Sequence, residues 1–200
     1  MPKKVYFKYG VMGSAKSLDL VRAEYNYRER GMDTIVFMPE MDTRTSKKVW
    51  SRVGVSVNAL PVSSRENLFV LVKKEIEENK RHVKAVFVDE VNFMTAVQID
   101  QLADVADYLN IPVLCYGLRT DFRTQLFEGS RRLLEIADEI EEIKAMCECG
   151  RKAICTARFV DGKPVNSGEQ IVIGVEQYNS YCRSCYKKLF KSQGDLLFDF

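Results

Sequence analysis

Short, continuously apolar runs alternate along this chain with stretches whose apolar positions recur at helical spacing. Lys4 to Tyr9 is β-branched and aromatic-rich and runs into Gly10; the stretch from Ser17 to Arg30 then reads as a helix stopped by Gly31. Thr34 to Met38 (TIVFM) is a second buried strand. Ser63 and Glu66 have capping-box spacing ahead of Leu68, Leu71, Val72 and Ile76, which share a helical face. Ala85 to Val88 is a third strand, ending abruptly in Asp89 and Glu90. Thr95 and Gln98 make a second capping box before Ile99, Leu102, Ala106 and Leu109, Val113 to Tyr116 is a fourth apolar run, and Ser130 to Ala137 is a last helical stretch. Buried strands alternating with one-faced helices predict an α/β fold, a mostly parallel sheet covered by helices, with ligands at the strands' carboxyl ends.

The pattern changes near Met146. Beyond it come paired cysteines, glycines and short β-like runs such as Gln170 to Ile173, with no long amphipathic helix. The expected organisation is an α/β domain over 1–145 and a small lobe over 146–200, the latter below the size at which a core alone is usually enough. Lys plus Arg number 30 against 28 acids, so the net charge of +2 gives no reason to expect a nucleic-acid or membrane partner. The opening MPKKVYFKYG is too brief a mixed run for a signal sequence or a membrane span, and a soluble cytoplasmic protein is expected.

Three motifs bear on chemistry. Gly10-Val11-Met12-Gly13-Ser14-Ala15-Lys16-Ser17 lies between a strand and a helix and nearly satisfies the phosphate-loop pattern, in which main-chain N–H groups and the helix N-terminus face the anion, Lys reaches the terminal phosphates and Ser holds Mg²⁺. Ala15 stands where that pattern has glycine, so a residue with a Cβ must adopt a conformation that glycine enters freely. The plain alternative is a strand-turn-helix with a capping serine. Asp89 and Glu90 end a strand expected beside that loop; one carboxylate there serves Mg²⁺ and its neighbour accepts the proton of an attacking hydroxyl, the alternative being a solvated turn. Cys147 and Cys149, followed by Cys182 and Cys185, provide four thiolates in two pairs, which suits tetrahedral Zn²⁺ in a lobe short of core. Free thiols, or a site that one cysteine leaves, are the alternatives. Cys115 and Cys155 read as packing residues, His82 as a surface residue, Glu139 to Glu142 as a solvated face, and Phe93, Phe122 and Tyr178 by default as core.

The phosphate loop with methionine at its third position, the Val88-Asp89-Glu90 turn leading to Phe93, the segment Tyr116-Gly-Leu-Arg-Thr-Asp-Phe122-Arg, and the closing Tyr178…Cys182-Arg-Ser-Cys185-Tyr186 together resemble the zinc-containing thymidine kinases. The resemblance spans nearly the whole chain. It implies a RecA-like P-loop domain with a zinc-ribbon lobe whose lasso loop covers the nucleoside. It further implies Lys16 and Ser17 at the ATP phosphates and Mg²⁺, Asp89 on the metal and Glu90 as general base. Arg44 would approach the phosphates. Met12 and Thr156 would lie near the thymine methyl, Phe93 and Phe122 would form walls, Tyr178 would lie against the nucleoside, and main chain at Val172 and Ile173 would hold the base. A homotetramer inhibited by dTTP is the family expectation. Two rivals stay open: a P-loop ATPase with a DNA-binding ribbon, and a relative weakened by Ala15 that binds nucleotide without turnover.

Overall fold

The computed structural model describes residues 3–40, 47–170 and 177–191. Strand β1 (Val5–Gly10) leads through the loop into helix α1 (Lys16–Arg28), then come β2 (Asp33–Pro39), a hairpin of β3 (Lys48–Trp50) and β4 (Ser56–Asn58), β5 (Leu60–Val62) and α2 (Leu68–Glu77). Next are β6 (Val83–Val88), a 3-10 turn at Val91–Phe93, α3 (Ala96–Tyr108), β7 (Val113–Leu118), α4 (Glu128–Ile136) and β8 (Glu139–Glu142). The central sheet has the order β5-β2-β6-β7-β1-β8, and every neighbouring pair is parallel.

Alternation along β2 shows why both faces must be covered. Ile35 and Phe37 enter one core with Val86, Val88, Ile99 and Leu102, beneath α2, α3 and α4, while Val36 and Met38 enter the other with Leu20, Phe87 and Tyr116, beneath α1 and the β3–β4 hairpin. A strand buried on both sides has no polar positions to spare, which is why its sequence reads as a continuous apolar run.

Thr95 and Gln98 form the expected capping box at the start of α3. The other differs: Glu66 Oε2 accepts the Ser63 N–H at 2.6 Å, but that pair closes a turn, and α2 starts four residues later with Asn67 capping Val70 N–H. Asn67 is also a good N-cap residue, and it sits directly before the first buried position, Leu68. The acidic run Glu139 to Glu142, mostly exposed, is an edge strand, its charges facing Lys4, Lys8 and Lys152. Charge on an edge strand discourages pairing with other chains.

The second lobe contains β9 (Ala145–Met146) paired with β10 (Lys152–Ala153), then the three-stranded sheet of β11 (Cys155–Val160), β12 (Lys163–Val165) and β13 (Gln177–Tyr181), then α5 (Arg183–Lys191). α5 is a short amphipathic helix that the sequence reading left out; Tyr186 and Phe190 are its buried face, packed on Ala157 and Tyr181. No described helix is long and apolar enough to cross a membrane.

Candidate active site

The phosphate loop closes without a side-chain cap. Ala15 occupies the N-cap position of α1 in the left-handed region, φ 64° and ψ 27°, and its side chain makes no capping bond. The capping-serine alternative therefore fails, because Ser17 lies inside the helix and donates instead to Asp89 Oδ2 at 3.0 Å. The uncapped N–H groups of α1 point along a helix dipole toward the loop, the arrangement that binds phosphate. Gly10 is required where it is: a Cβ there would lie 2.2 Å from Ser14 Oγ and 2.7 Å from the Ile143 carbonyl. Lys16 is buried and its ammonium donates to the Val11 carbonyl at 2.9 Å. Burial pulls its pKa down, opposed by the Glu90 and then the Asp89 carboxylates.

Asp89 and Glu90 are not a solvated turn. Asp89 is 6% exposed, and burial followed by the adjacent Glu90 charge pushes its carboxyl well above the usual range. β7 lies between β1 and β6, which carries the pair, and Asp89 reaches Ser17 of the phosphate loop across the carboxyl edge of the sheet. Asp89 Oδ1 is buried and has no hydrogen-bond partner among the described residues. A buried carboxyl oxygen left in that condition beside a serine hydroxyl fits a Mg²⁺ with an oxygen shell, whose charge would favour the ionised form. Glu90 takes a left-handed backbone, φ 46° and ψ 39°, a conformation rare without glycine and common at functional sites.

These groups line a cleft of about 420 Å³ together with Met12, Ala15, Lys48, Trp50 and Arg52. Trp50 and Arg52, on the β3–β4 hairpin, had no signal in the sequence reading, since a lone aromatic and a lone cation in a polar stretch look like surface. Arg44, Val172 and Ile173 lie outside the described residues.

The second lobe grips the phosphate loop at Met12: its N–H donates to Thr156 Oγ1 at 3.4 Å, and its carbonyl accepts from Ser180 Oγ at 2.6 Å. Thr156 and Ser180 are register partners on β11 and β13, as are Arg158 and Tyr178. Phe122 is buried, and its carbonyl accepts from the Tyr186 hydroxyl. Phe93 is half-buried, edge-on to Phe127 with ring centroids 5.5 Å apart. Met12, Thr156, Phe122 and Tyr178 are thus tied to one lobe interface, while Phe93 belongs to the turn after Glu90.

The Sγ atoms of Cys147, Cys149, Cys182 and Cys185 all lie within 4.8 Å of one another, with Cys149 3.6 Å from both Cys147 and Cys182. A tetrahedral zinc with bonds of about 2.3 Å has sulfur–sulfur edges near 3.8 Å, so the tight C-x-C pair fits a four-thiolate centre. The Arg151 main-chain N–H, then neighbouring thiols, pull the Cys149 thiol down to about 6, which makes it a ready metal ligand near neutrality. Cys115 packs in the core beneath α2, α3 and α4, while Cys155 packs in the small lobe's core with Cys147 and Cys182 without being one of the four clustered thiols. Cys149→Ser is expected to lower the melting temperature by at least about 4 °C, since loss of one structural ligand costs upwards of about 1 to 2 kcal/mol in a chain of this size. Thermal denaturation read beside zinc content per chain checks it; an unchanged melting point with one zinc retained would leave Cys149 out of the ligand set.

A family model described as thymidine kinase matches residues 3–186. A thymidine kinase of Rhodopirellula baltica is 47% identical over 188 residues, covering 92% of this chain and 88% of its own length. That of Haemophilus influenzae is 47% identical over 188 residues, covering 92% and 96%. That of Enterobacteria phage T4 is 45% identical over 190 residues, covering 94% and 97%. With the family match running through both lobes and the relatives aligned almost end to end, this chain belongs to the thymidine kinase family.

Proposed function

We propose that the protein transfers the γ-phosphoryl group of ATP to the 5′-hydroxyl of thymidine, supplying a DNA precursor by salvage. The observation that carries this reading is the convergence of Lys16, Ser17, Asp89 and Glu90 on one cleft whose rim is held by the second lobe through Met12. In-line phosphoryl transfer asks mainly for positioning and for charge placed around the moving group. The α1 N-terminus and Lys16 hold the phosphates, Ser17 and Asp89 would hold a Mg²⁺ that would neutralise their charge, and Glu90 takes the proton of the 5′-hydroxyl. Cys147, Cys149, Cys182 and Cys185 would hold a Zn²⁺ of structural role, which would stabilise the lobe that carries Thr156 and Ser180.

Met12, Thr156, Phe93, Phe122 and Tyr178 are assigned to the nucleoside, with Arg44 at the phosphates and the main chain of Val172 and Ile173 at the base. A pocket shaped for a 5-methylpyrimidine discriminates one methyl by only about 1 to 3 kcal/mol, so deoxyuridine is expected to be a substrate and purines are not. Membership of the family supports three further proposals: a homotetramer, inhibition by dTTP and a cytoplasmic location.

The test is transfer of labelled γ-phosphate to thymidine beside deoxyuridine, deoxycytidine and deoxyguanosine, with a nucleoside-free control. Thymidine-dependent product is expected; hydrolysis without nucleoside, or equal use of deoxyguanosine, would overturn the reading. Ala15 adds a second measurement. Its left-handed backbone costs about 1 to 2 kcal/mol that glycine avoids, partly offset by glycine's looser unfolded chain. Ala15→Gly is therefore expected to raise the melting temperature by about 1 to 4 °C, with thymidine turnover kept.

A further inference from the structure

Arg158 is a long cation on a strand of the small lobe, only 4% exposed. It lies two residues after Thr156 on β11, hence on the same face of the strand. Its register partner is Tyr178, as that of Thr156 is Ser180. The face that grips Met12 through Thr156 and Ser180 therefore continues into Arg158.

There its guanidinium lies 3.8 Å from the centroid of the Phe122 ring, and its two terminal nitrogens donate to the Ser167 carbonyl at 2.7 Å and the Glu169 carbonyl at 3.1 Å. The residue between those carbonyls, Gly168, has φ 107°, and a Cβ on it would lie 2.6 Å from the Arg158 guanidinium. A planar fork can face an aromatic ring and use both ends as donors at once; a lysine ammonium cannot. A second bond joins the same two segments: Gln170 Nε2 donates to Asp121 Oδ2 at 3.2 Å and to the Leu126 carbonyl at 3.4 Å. Asp121 in turn accepts the main-chain N–H groups of Arg123 and Gln125, both at 2.8 Å, and so shapes the turn that carries Phe122.

We propose that Arg158 is a positioning residue for the nucleoside: it locks the Phe122 ring to the backbone of Ser167–Glu169, fixing the aromatic wall relative to the Met12 end of the phosphate loop. The assignment rests on the thymidine reading, because it is that reading which gives Phe122 its role. Arg158 acts through Phe122 and this backbone, and the ATP cleft on the far side of Met12 does not include it.

Arg158→Lys keeps the charge and removes the fork. Its expected signature is a thymidine KM raised at least about tenfold with the ATP KM within about twofold of wild type, since small displacements of a positioning contact cost about that much or more. Hydrogen exchange is expected to speed up in peptides spanning 119–126 and 166–170 and to stay unchanged in the phosphate loop. Zinc retained by the lysine variant is the sign that the lobe is intact. A normal thymidine KM, or thymidine and ATP KM values rising together, would overturn the proposal, as would unchanged exchange in both peptides. Wild-type protein that phosphorylates no thymidine would instead overturn the reading beneath it.

Discussion

Glu90→Gln is expected to lower turnover by about 10² to 10⁴, the range for losing a general base, while thymidine and ATP binding persist. The substitution keeps the shape of the side chain and suits the left-handed backbone at this position as well as glutamate does. It also removes a negative charge that pushes the Asp89 carboxyl upward and that opposes the burial of the Lys16 ammonium, two effects of opposite sign, so the melting temperature is expected to change little. Measuring kcat, both KM values and thermal denaturation on one preparation separates these effects. Near-normal kcat would take the base role away from Glu90.

Lys16→Ala is expected to lower kcat/KM for ATP by about 10² to 10³, the scale for removing one donor aimed at developing charge in a sheltered site. The loss has a structural component, because Lys16 is the buried counter-charge to Asp89 and Glu90. Lys16→Met, which keeps the length of the stem, distinguishes a lost charge from a lost filler of space. The chain's single tryptophan, Trp50, lines the same cleft, so its emission is expected to report ATP binding independently of turnover. Wild-type ATP kinetics in the alanine variant would remove the phosphate-loop reading altogether.

The strands and their helices were legible because burial on two faces forces unbroken apolar runs in β2, β6 and β7, and one-sided burial forces helical spacing in α2 and α3. The Thr95 box was legible for a local reason, since both of its bonds lie within one turn. The Ser63 box has the same residue types and makes only a turn, because Leu68 must enter the core and Asn67 stands immediately before it. Local chemistry offered two starts, and packing chose one.

The chain by itself determined the residue types and spacings of its site: a loop of small residues ending in Lys16 and Ser17, an acidic pair closing a buried strand, and four thiols in two pairs. These were readable because each motif is short, and its chemistry depends on neighbours in sequence. Only the tertiary structure decided what meets across the fold: that Asp89 reaches Ser17 over the intervening β7, that Trp50 and Arg52 border the phosphate loop, and that Arg158 faces Phe122. Such contacts join residues far apart in the chain, and they depend on strand order and on the docking of one lobe against the other, which leave no periodic mark on the residues involved.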